Sequence, residues 1–452
     1  MRRKIYDRLV EWKRQTAGRR ALLIDGARRV GKSFIAEEFG KNEYRSYVLI
    51  DFSRAPKIVK DLFWNYLEKQ SLPTFFLKLS EHYDVQLHKR NTLFIFDEVQ
   101  AFPRAREAIK ALVADGQYDY LETGSLVSID ENVTDIVIPS EEDRIKMFPM
   151  DFEEYLWATG RESLMDFIKD HYAKKDPCGP LLHRKAMDAF REYLVVGGMP
   201  QAVQSFIDTH NLTDVDRVKR SILKLYREDI EKHAGRKARK IQLVFDGIPS
   251  QLSKHEKKFR LTALEADAKM RTYEDSFLWL REAMIANLCF NATEPSVGLA
   301  MSTDHTTLKC YLLDTGLLVS LAFPLRTLVA EQIHKRILLD ALEFNSGMLV
   351  ENIVAQMLAA SGHELLFYSR NDPKTRAERM EIDFLLTKPQ LTRRKNIIPV
   401  EVKSSRKYSH ASLDKFTRKF KSQLDTPIVL HTKDLNLTSG ITYLPLYMAP
   451  CL

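Results

Sequence analysis

Over roughly the first 125 residues, short apolar runs alternate with longer stretches in which apolar positions recur every three or four residues. This is the pattern of a parallel sheet flanked by helices. The runs predict strands over 21–25, 47–52, 93–97 and 118–123. From about residue 152 to 325 the spacing turns helical and the segment reads as α-rich, with predicted helices including 182–194, 215–231 and 273–288. Thr272, followed three residues later by Asp275, marks the start of the last of these, and Phe277, Leu280, Met284 and Leu288 then share one face. Near residue 340 the pattern changes again. A helix over 345–360 precedes strand-like runs at 364–368, 382–386 and 397–402 and a basic helical stretch from about His410, an α/β unit of its own. The chain divides on this reading into residues 1–150, 151–335 and 336–452.

Composition narrows the class. The 452 residues are enough for about three domains, and 44% hydrophobic with 29% charged residues excludes a disordered or fibrous chain. No apolar run reaches the roughly 18 residues of a bilayer helix; the nearest, 311–323, is broken by Asp314 and Gly316, so no membrane partner is expected. The first residues, MRRKIYDRLVEWKRQ, scatter charge through every turn without the apolar core of a secretory signal, and a cytoplasmic location is expected. Cys178, Cys289, Cys310 and Cys451 lie far apart without metal-type spacing and read as reduced structural thiols. The net charge of +8 permits an anionic partner without naming one.

The sharpest motif is Gly26-Ala-Arg-Arg-Val-Gly31-Lys32-Ser33, a full G-x-x-x-x-G-K-[ST] between the strand-like ALLID and the helical FIAEEFG. Glycines let such a loop turn its N–H groups inward around a triphosphate, and the next helix adds its positive end beneath the same phosphates. Lys32 is expected to reach the β and γ phosphates and Ser33 to ligate Mg²⁺, with Arg29 and Phe34 completing the nucleotide contacts. A glycine-rich turn with a surface lysine is the plain alternative. ATP or GTP binding is the expected chemistry.

A hydrolytic site also needs a metal-orienting acid at the end of another buried strand. Leu93-Phe-Ile-Phe96-Asp97-Glu98 supplies one: Asp97 for the Mg²⁺ shell and Glu98 beside it as general base for the attacking water. The next strand ends in Glu122-Thr123-Gly124-Ser125, where Thr123 and Ser125 are expected beside the γ phosphate. A glutamate next to the aspartate, together with an intervening strand, resembles the additional-strand P-loop ATPases. No guanine-reading N/TKxD motif is evident, which favours ATP.

GARRVGKS, LFIFDEVQ, LETGS, DRIKMFPMDFEEYLWA, YLVVGGMPQAV, LYREDIEKH, CYLLDTGLL, EIDFLL and PVEVKSS follow one another in the order seen in a large family of prokaryotic predicted AAA+ ATPases. Those proteins carry a carboxy-terminal domain of unknown function resembling a PD-(D/E)XK nuclease, and the resemblance spans nearly the whole chain. It implies an ATPase core over 1–150, a helical lid and winged-helix-like region over 151–335, a nuclease-like end over 336–452, and assembly into a homo-oligomer. Where the family usually has Gly-Arg before the lid, Asp143 precedes Arg144 here, so Arg144 reads as a surface arginine at least as well as one that acts on a neighbouring subunit.

The terminal α/β unit holds a second candidate site. Side chains two apart on a strand share a face, which places Glu401 and Lys403 together. Asp383 on a neighbouring strand and Glu351 on a helix are expected to join Glu401 around one Mg²⁺, with Lys403 orienting a water toward a DNA phosphodiester. This is the layout that the nuclease resemblance implies; polar alternation on a half-exposed sheet is the plain reading. Basic residues surround it: Arg393, Arg394 and Lys395 before, and Arg406, Lys407, Lys415, Arg418, Lys419 and Lys421 after. A second cluster comprises Lys232, Arg236, Lys237, Arg239 and Lys240, followed by Lys254, Lys257, Lys258 and Arg260. Both fit a DNA backbone track. Two function classes therefore stand: a DNA-associated ATPase with a Mg²⁺-dependent nuclease-like end, or a nucleotide-dependent regulatory or defence switch whose terminal domain docks a partner without cleaving.

Overall fold

Strands that read as unbroken apolar runs need cover on both faces, and a parallel sheet with helices on each side provides it. The computed structural model describes residues 1–67, 71–126, 139–254, 256–296, 298–323, 327–338, 346–370, 379–388, 395–405 and 407–452. These form two compact units, one of Met1–Phe148 with Glu282–Met284 and one of Pro149–Arg281 with Ile285–Leu452. In the first, the elements are α1 (Ile5–Thr16), β1 (Ala21–Asp25), α2 (Lys32–Glu43), β2 (Ser46–Asp51), α3 (Lys57–Asn65), α4 (Leu72–Tyr83), β3 (Thr92–Asp97), α5 (Pro103–Asp115), β4 (Asp119–Gly124) and β5 (Glu142–Lys146). The strands pair in the order β2-β3-β4-β1-β5, all parallel. Every residue of β1, β3 and β4 is buried. On one side Phe52, Phe63, Phe75, Phe76, Phe96 and Phe102 are linked by edge-to-face contacts, and Phe94 meets Tyr118 edge to face and Phe76 at a tilt. Burial of each such ring contributes about 1.5–3 kcal/mol.

The second unit opens with α6 (Phe152–Ala158), α7 (Glu162–Lys174), α8 (Gly179–Val196), α9 (Pro200–Thr209), α10 (Leu212–His233), α11 (Ala238–Leu252) and α12 (Met270–Glu282). Asp151 and Glu154 close a capping box at the start of α6. There follow β6 (Ala286–Ala292), β7 (Thr303–Leu312), α13 (Thr315–Ala322), α14 (Thr327–Leu338), α15 (Ser346–Ala360), β8 (Leu366–Arg370), β9 (Met380–Ile382), β10 (Phe384–Thr387), β11 (Ile397–Val402), α16 (Ala411–Lys419), β12 (Ile428–His431), β13 (Asn436–Thr438) and β14 (Ile441–Pro445). They make two sheets, β7-β6-β8-β9 and β10-β11-β12-β14-β13.

Two expectations are corrected here. The helix expected over 273–288 stops at Glu282; Met284 takes a left-handed φ of 55°, and the chain continues as β6, so Leu288 lies on a strand while Phe277 and Leu280 stay on the helix. The strand expected over 382–386 is broken at Asp383, with β9 in one sheet and β10 in the other. Within the second unit, segments on either side of residues 335–336 share a sheet and a core. β6, from the middle of the chain, pairs in parallel with β8 and antiparallel with β7, and Ala292 and Leu299 share a core with Tyr368, Leu385 and Phe416.

Two of the sequence motifs meet in this unit. Asp314, from CYLLDTGLL, accepts hydrogen bonds from the Gly198 and Leu317 N–H groups at 2.6 and 2.8 Å. Gly198, from YLVVGGMP, lies so close to Met150 that a Cβ would stand 2.0 Å from its carbonyl oxygen, which only glycine permits.

The shared sheet has a measurable consequence. A fragment of residues 336–452 leaves β8 without β6 and is expected to aggregate or remain unfolded, whereas residues 149–452 should melt in one transition by circular dichroism. A cooperative melt of the short fragment would contradict a common core.

Candidate functional site

β1 ends at Asp25 and α2 begins at Lys32, so the glycine loop spans the turn between a buried strand and a helix start. Gly31 has φ 100° and Arg29 φ 72°, the left-handed backbone a phosphate nest requires, and a Cβ at Gly26 would stand 2.5 Å from the Met147 carbonyl oxygen. Arg3 clamps the loop from outside: its guanidinium donates to the Val30 and Phe148 carbonyls at 2.8 and 2.7 Å. Lys32 is buried and folded back, its Nζ donating to the Gly26 and Ala27 carbonyls at 2.9 and 3.0 Å. Burial pulls its pKa below the ordinary lysine value, against the opposing pull of Glu98, Asp25 and Asp97.

β4 lies between β1 and β3 in the sheet, so the ends of all three strands converge at the loop. The Ser33 hydroxyl donates to Asp97 Oδ1 at 2.8 Å, Thr123 donates to the same oxygen, and the Glu98 N–H reaches Thr123 Oγ1 at 3.4 Å. Burial raises the Asp97 pKa, and the Thr123 and Ser33 hydrogen bonds oppose that rise. The structure thus brings Lys32, Ser33, Asp97, Glu98, Thr123 and Ser125 together. A hydroxyl and a carboxylate whose hydrogen-bond donors are neutral hydroxyls form a donor set that fits Mg²⁺. Glu98 sits at φ 53°, a left-handed backbone that costs energy in a non-glycine residue and is found at functional sites. Its Oε2 accepts from Gln100 Nε2 and, at 3.4 Å, from Ser125 Oγ. Arg29 is exposed on the loop, and Phe34, 54% exposed, lines with Arg3 and Tyr6 a cleft of about 350 Å³ beside α2. Arg144 on β5 is held within its own unit, near Asp25 at 3.9 Å and Glu142 at 3.7 Å. Sequence reasoning missed Gln100 and Arg3; the first had a signal, the glutamine closing LFIFDEVQ, and the second had none beyond a basic start.

The terminal acids are brought together differently. Asp383 occupies the corner between β9 and β10, where its Oδ2 accepts from the Val402 N–H at 2.9 Å. Glu351 on α15 is buried and paired with Lys257 and, at 3.1 Å, with Lys309, while Tyr311 donates its hydroxyl to it. Lys309 also reaches Glu381 at 3.0 Å and Asp383 at 3.4 Å. Burial would raise the Glu351 pKa, but the ammoniums of Lys257 and Lys309 outweigh it and hold it at about 2. Glu401 and Lys403 share a face as expected and pair at 2.5 Å. Among the described residues, no three His, Cys, Asp or Glu side chains form a group able to hold a metal ion. The expected Glu351, Asp383 and Glu401 ligand set therefore does not form; Lys309 stands among the acids instead, and these residues do not fit a resident Mg²⁺. Lys257, Lys309 and Glu381 were not singled out as part of this site from sequence; Lys309 is a lone lysine before an apolar run, and that was its only signal.

Basic residues of the expected DNA track divide. Lys232, Arg236, Arg239, Arg418, Lys419 and Lys421 are exposed. Lys257 and Arg260 are spent on Glu351 and Glu256, Lys237 pairs with Asp275 at 2.8 Å, and Arg393, Arg394 and Arg406 lie outside the described residues.

Burial pushes the Glu401 carboxyl up to about 7, with Lys403 opposing. The folded state then holds a proton that the unfolded state, near 4.5, has released, so stability falls as pH rises from about 4.5 to 7, by on the order of 2–3 kcal/mol. Glu401→Gln should remove this part of the pH dependence and stabilise the protein at pH 8, read by urea denaturation at pH 5 and pH 8. An unchanged pH profile would refute the assignment.

Three family models match the chain: one described as "AAA domain" over residues 18–156, "Domain of unknown function (DUF8612)" over 187–327, and "Domain of unknown function (DUF4143)" over 346–449. No curated protein matches. Solved structures similar in part include the Walker-type ATPase PABY2304 of Pyrococcus abyssi, 15% identical with a TM-score of 0.41, covering 71% of this chain and 96% of that one. The Orc1 protein of Aeropyrum pernix in complex with DNA is 10% identical with a TM-score of 0.28, covering 73% and 91%. At such TM-scores these likenesses add nothing to what the loop and the AAA match establish. With its glycine loop, its β2-β3-β4-β1-β5 sheet and its match over residues 18–156, the first unit is an AAA+ P-loop ATPase domain.

Proposed function

We propose that this protein binds ATP with Mg²⁺ and hydrolyses it at the strand ends of the first unit. The observation that carries the reading is the meeting of Ser33, Thr123 and Asp97 beside the glycine loop, with Glu98 held next to them. Mg²⁺, held by Ser33 and Asp97, would supply charge neutralisation on the phosphates. Glu98 takes a proton from water as the water oxygen bonds to the γ phosphorus; the bond from that phosphorus to the bridging oxygen breaks, and ADP and phosphate leave. Lys32 releases its two carbonyl contacts to meet the phosphates, and Thr123 and Ser125 fix Asp97 and Glu98.

For the second unit, α10 to α12 with the β6–β7 pair support the winged-helix-like reading, α6 stands where a lid would begin, and the exposed bases on α10 and α16 support contact with a DNA backbone. Between the two function classes, the Lys309 ammonium among Glu351, Glu381 and Asp383 favours a switch whose terminal unit docks without cleaving. Nucleotide state in the first unit would set the activity of that switch, and assembly of several copies would be the setting in which it works.

Lys32→Ala is expected to abolish binding of a fluorescent ATP analogue, whereas Glu98→Gln should keep binding and lower kcat about 10²-fold or more with KM little changed. Equal turnover in wild type and Glu98→Gln would refute the general-base role. Separately, affinity for duplex DNA should fall steeply with salt; no binding at low salt would remove the DNA reading.

A further inference from the structure

β7 turns from half-exposed to fully buried over its last five residues, and Lys309 lies inside that buried stretch between Leu308 and Cys310. A buried ammonium is tolerated only where anions and hydrogen bonds replace its water. Here they come from three places: Glu351 on α15 at 3.1 Å, Glu381 on β9 at 3.0 Å, and Asp383 at the β9/β10 corner at 3.4 Å. The Phe367 ring lies 5.1 Å from the ammonium on β8. Tyr311, two residues along and on the same face of β7, donates to the oxygen of Glu351 that Lys309 also reaches, and Lys257 takes the other oxygen and the Gly347 carbonyl.

A hard divalent ion needs carboxylate oxygens from more than one element converging on a common point. Here three carboxylates from different elements face one point, but they stand 3.0–3.4 Å from an ammonium placed there and do not close into a group able to hold a metal ion. We propose that Lys309 is a resident cation, taking permanently the place among Glu351, Glu381 and Asp383 that a divalent ion would need. The cluster is then a structural tie between β7, α15 and β9, and the second unit performs no metal-dependent phosphodiester cleavage there. Glu401 does not rescue a metal site: Lys403 takes its Oε1, its buried Oε2 has no partner, and no third acid completes a set among the described residues. This deepens and rests on the docking-module reading of the second unit, and is independent of the nucleotide reading of the first.

The test is Mn²⁺ titration of the nucleotide-free full chain, followed by electron paramagnetic resonance of free Mn²⁺, beside Mg²⁺-dependent nicking of supercoiled plasmid DNA. Wild type and Asp383→Asn are expected to take up equal Mn²⁺ and to leave the plasmid intact. Lys309→Met should gain one saturable site per chain, lost again in the double variant with Asp383→Asn. A saturable wild-type site that Asp383→Asn removes overturns the resident cation, and so does a folded Lys309→Met that gains none. Should Lys309→Met fail to fold, the wild-type and Asp383→Asn comparison decides alone. Nicking that disappears in Glu401→Gln overturns the docking-module reading as well, whereas a wild-type Mn²⁺ site without nicking leaves that reading standing.

Discussion

The hydrogen bond from Ser33 to Asp97 joins the two halves of the nucleotide site, and it exists because of strand order rather than sequence proximity. Sixty-four residues separate the pair. A parallel sheet with β4 inserted between β1 and β3 delivers all three strand ends to one edge, where Thr123 completes the contact. Both donors to Asp97 are neutral hydroxyls, so its charge is directed without being cancelled. The loop itself is held by other means: Arg3 donates to the Val30 carbonyl, and Lys32 donates back to the Gly26 and Ala27 carbonyls of the loop.

The second unit uses its charges for cohesion. Four carboxylates, Glu351, Glu381, Asp383 and Glu401, meet three ammoniums, Lys257, Lys309 and Lys403, over the interval where the two sheets join. Removing Glu351 or Lys309 leaves a buried charge uncompensated, which costs more than the pair contributes when intact. The polar interior extends to Asp314, which binds the Gly198 N–H and ties two distant motifs into one core.

The nucleotide site was legible because its chemistry is local. A glycine loop needs a strand before and a helix after, and both lie within a dozen residues of Gly31; Asp97 and Glu98 follow an apolar run that has only one reasonable place in a sheet. The terminal site was only half legible. Alternation placed Glu401 and Lys403 on one face, but nothing local told that β9 would break at Asp383 or that β7 would carry Lys309 into the cluster. The cause is the continuation of helical periodicity through Leu288, which hid β6 and with it the antiparallel partner that positions Lys309. Pairings across long sequence separations leave no periodic trace in either strand alone.

That hidden strand changes what the second unit can do. Had the middle and terminal segments been separate domains, the basic residues of α10 and of α16 could reorient independently around a hinge. Because β6 pairs with both β7 and β8, and Lys309 on β7 is bound to acids on α15 and β9, bending there would break a sheet and expose a buried ion cluster together. Packed elements of this kind resist gradual deformation and switch, if at all, between discrete arrangements. The middle and terminal segments are therefore tied through one sheet and one ion cluster, and the exposed surface of the second unit is set by both together rather than by either family segment alone.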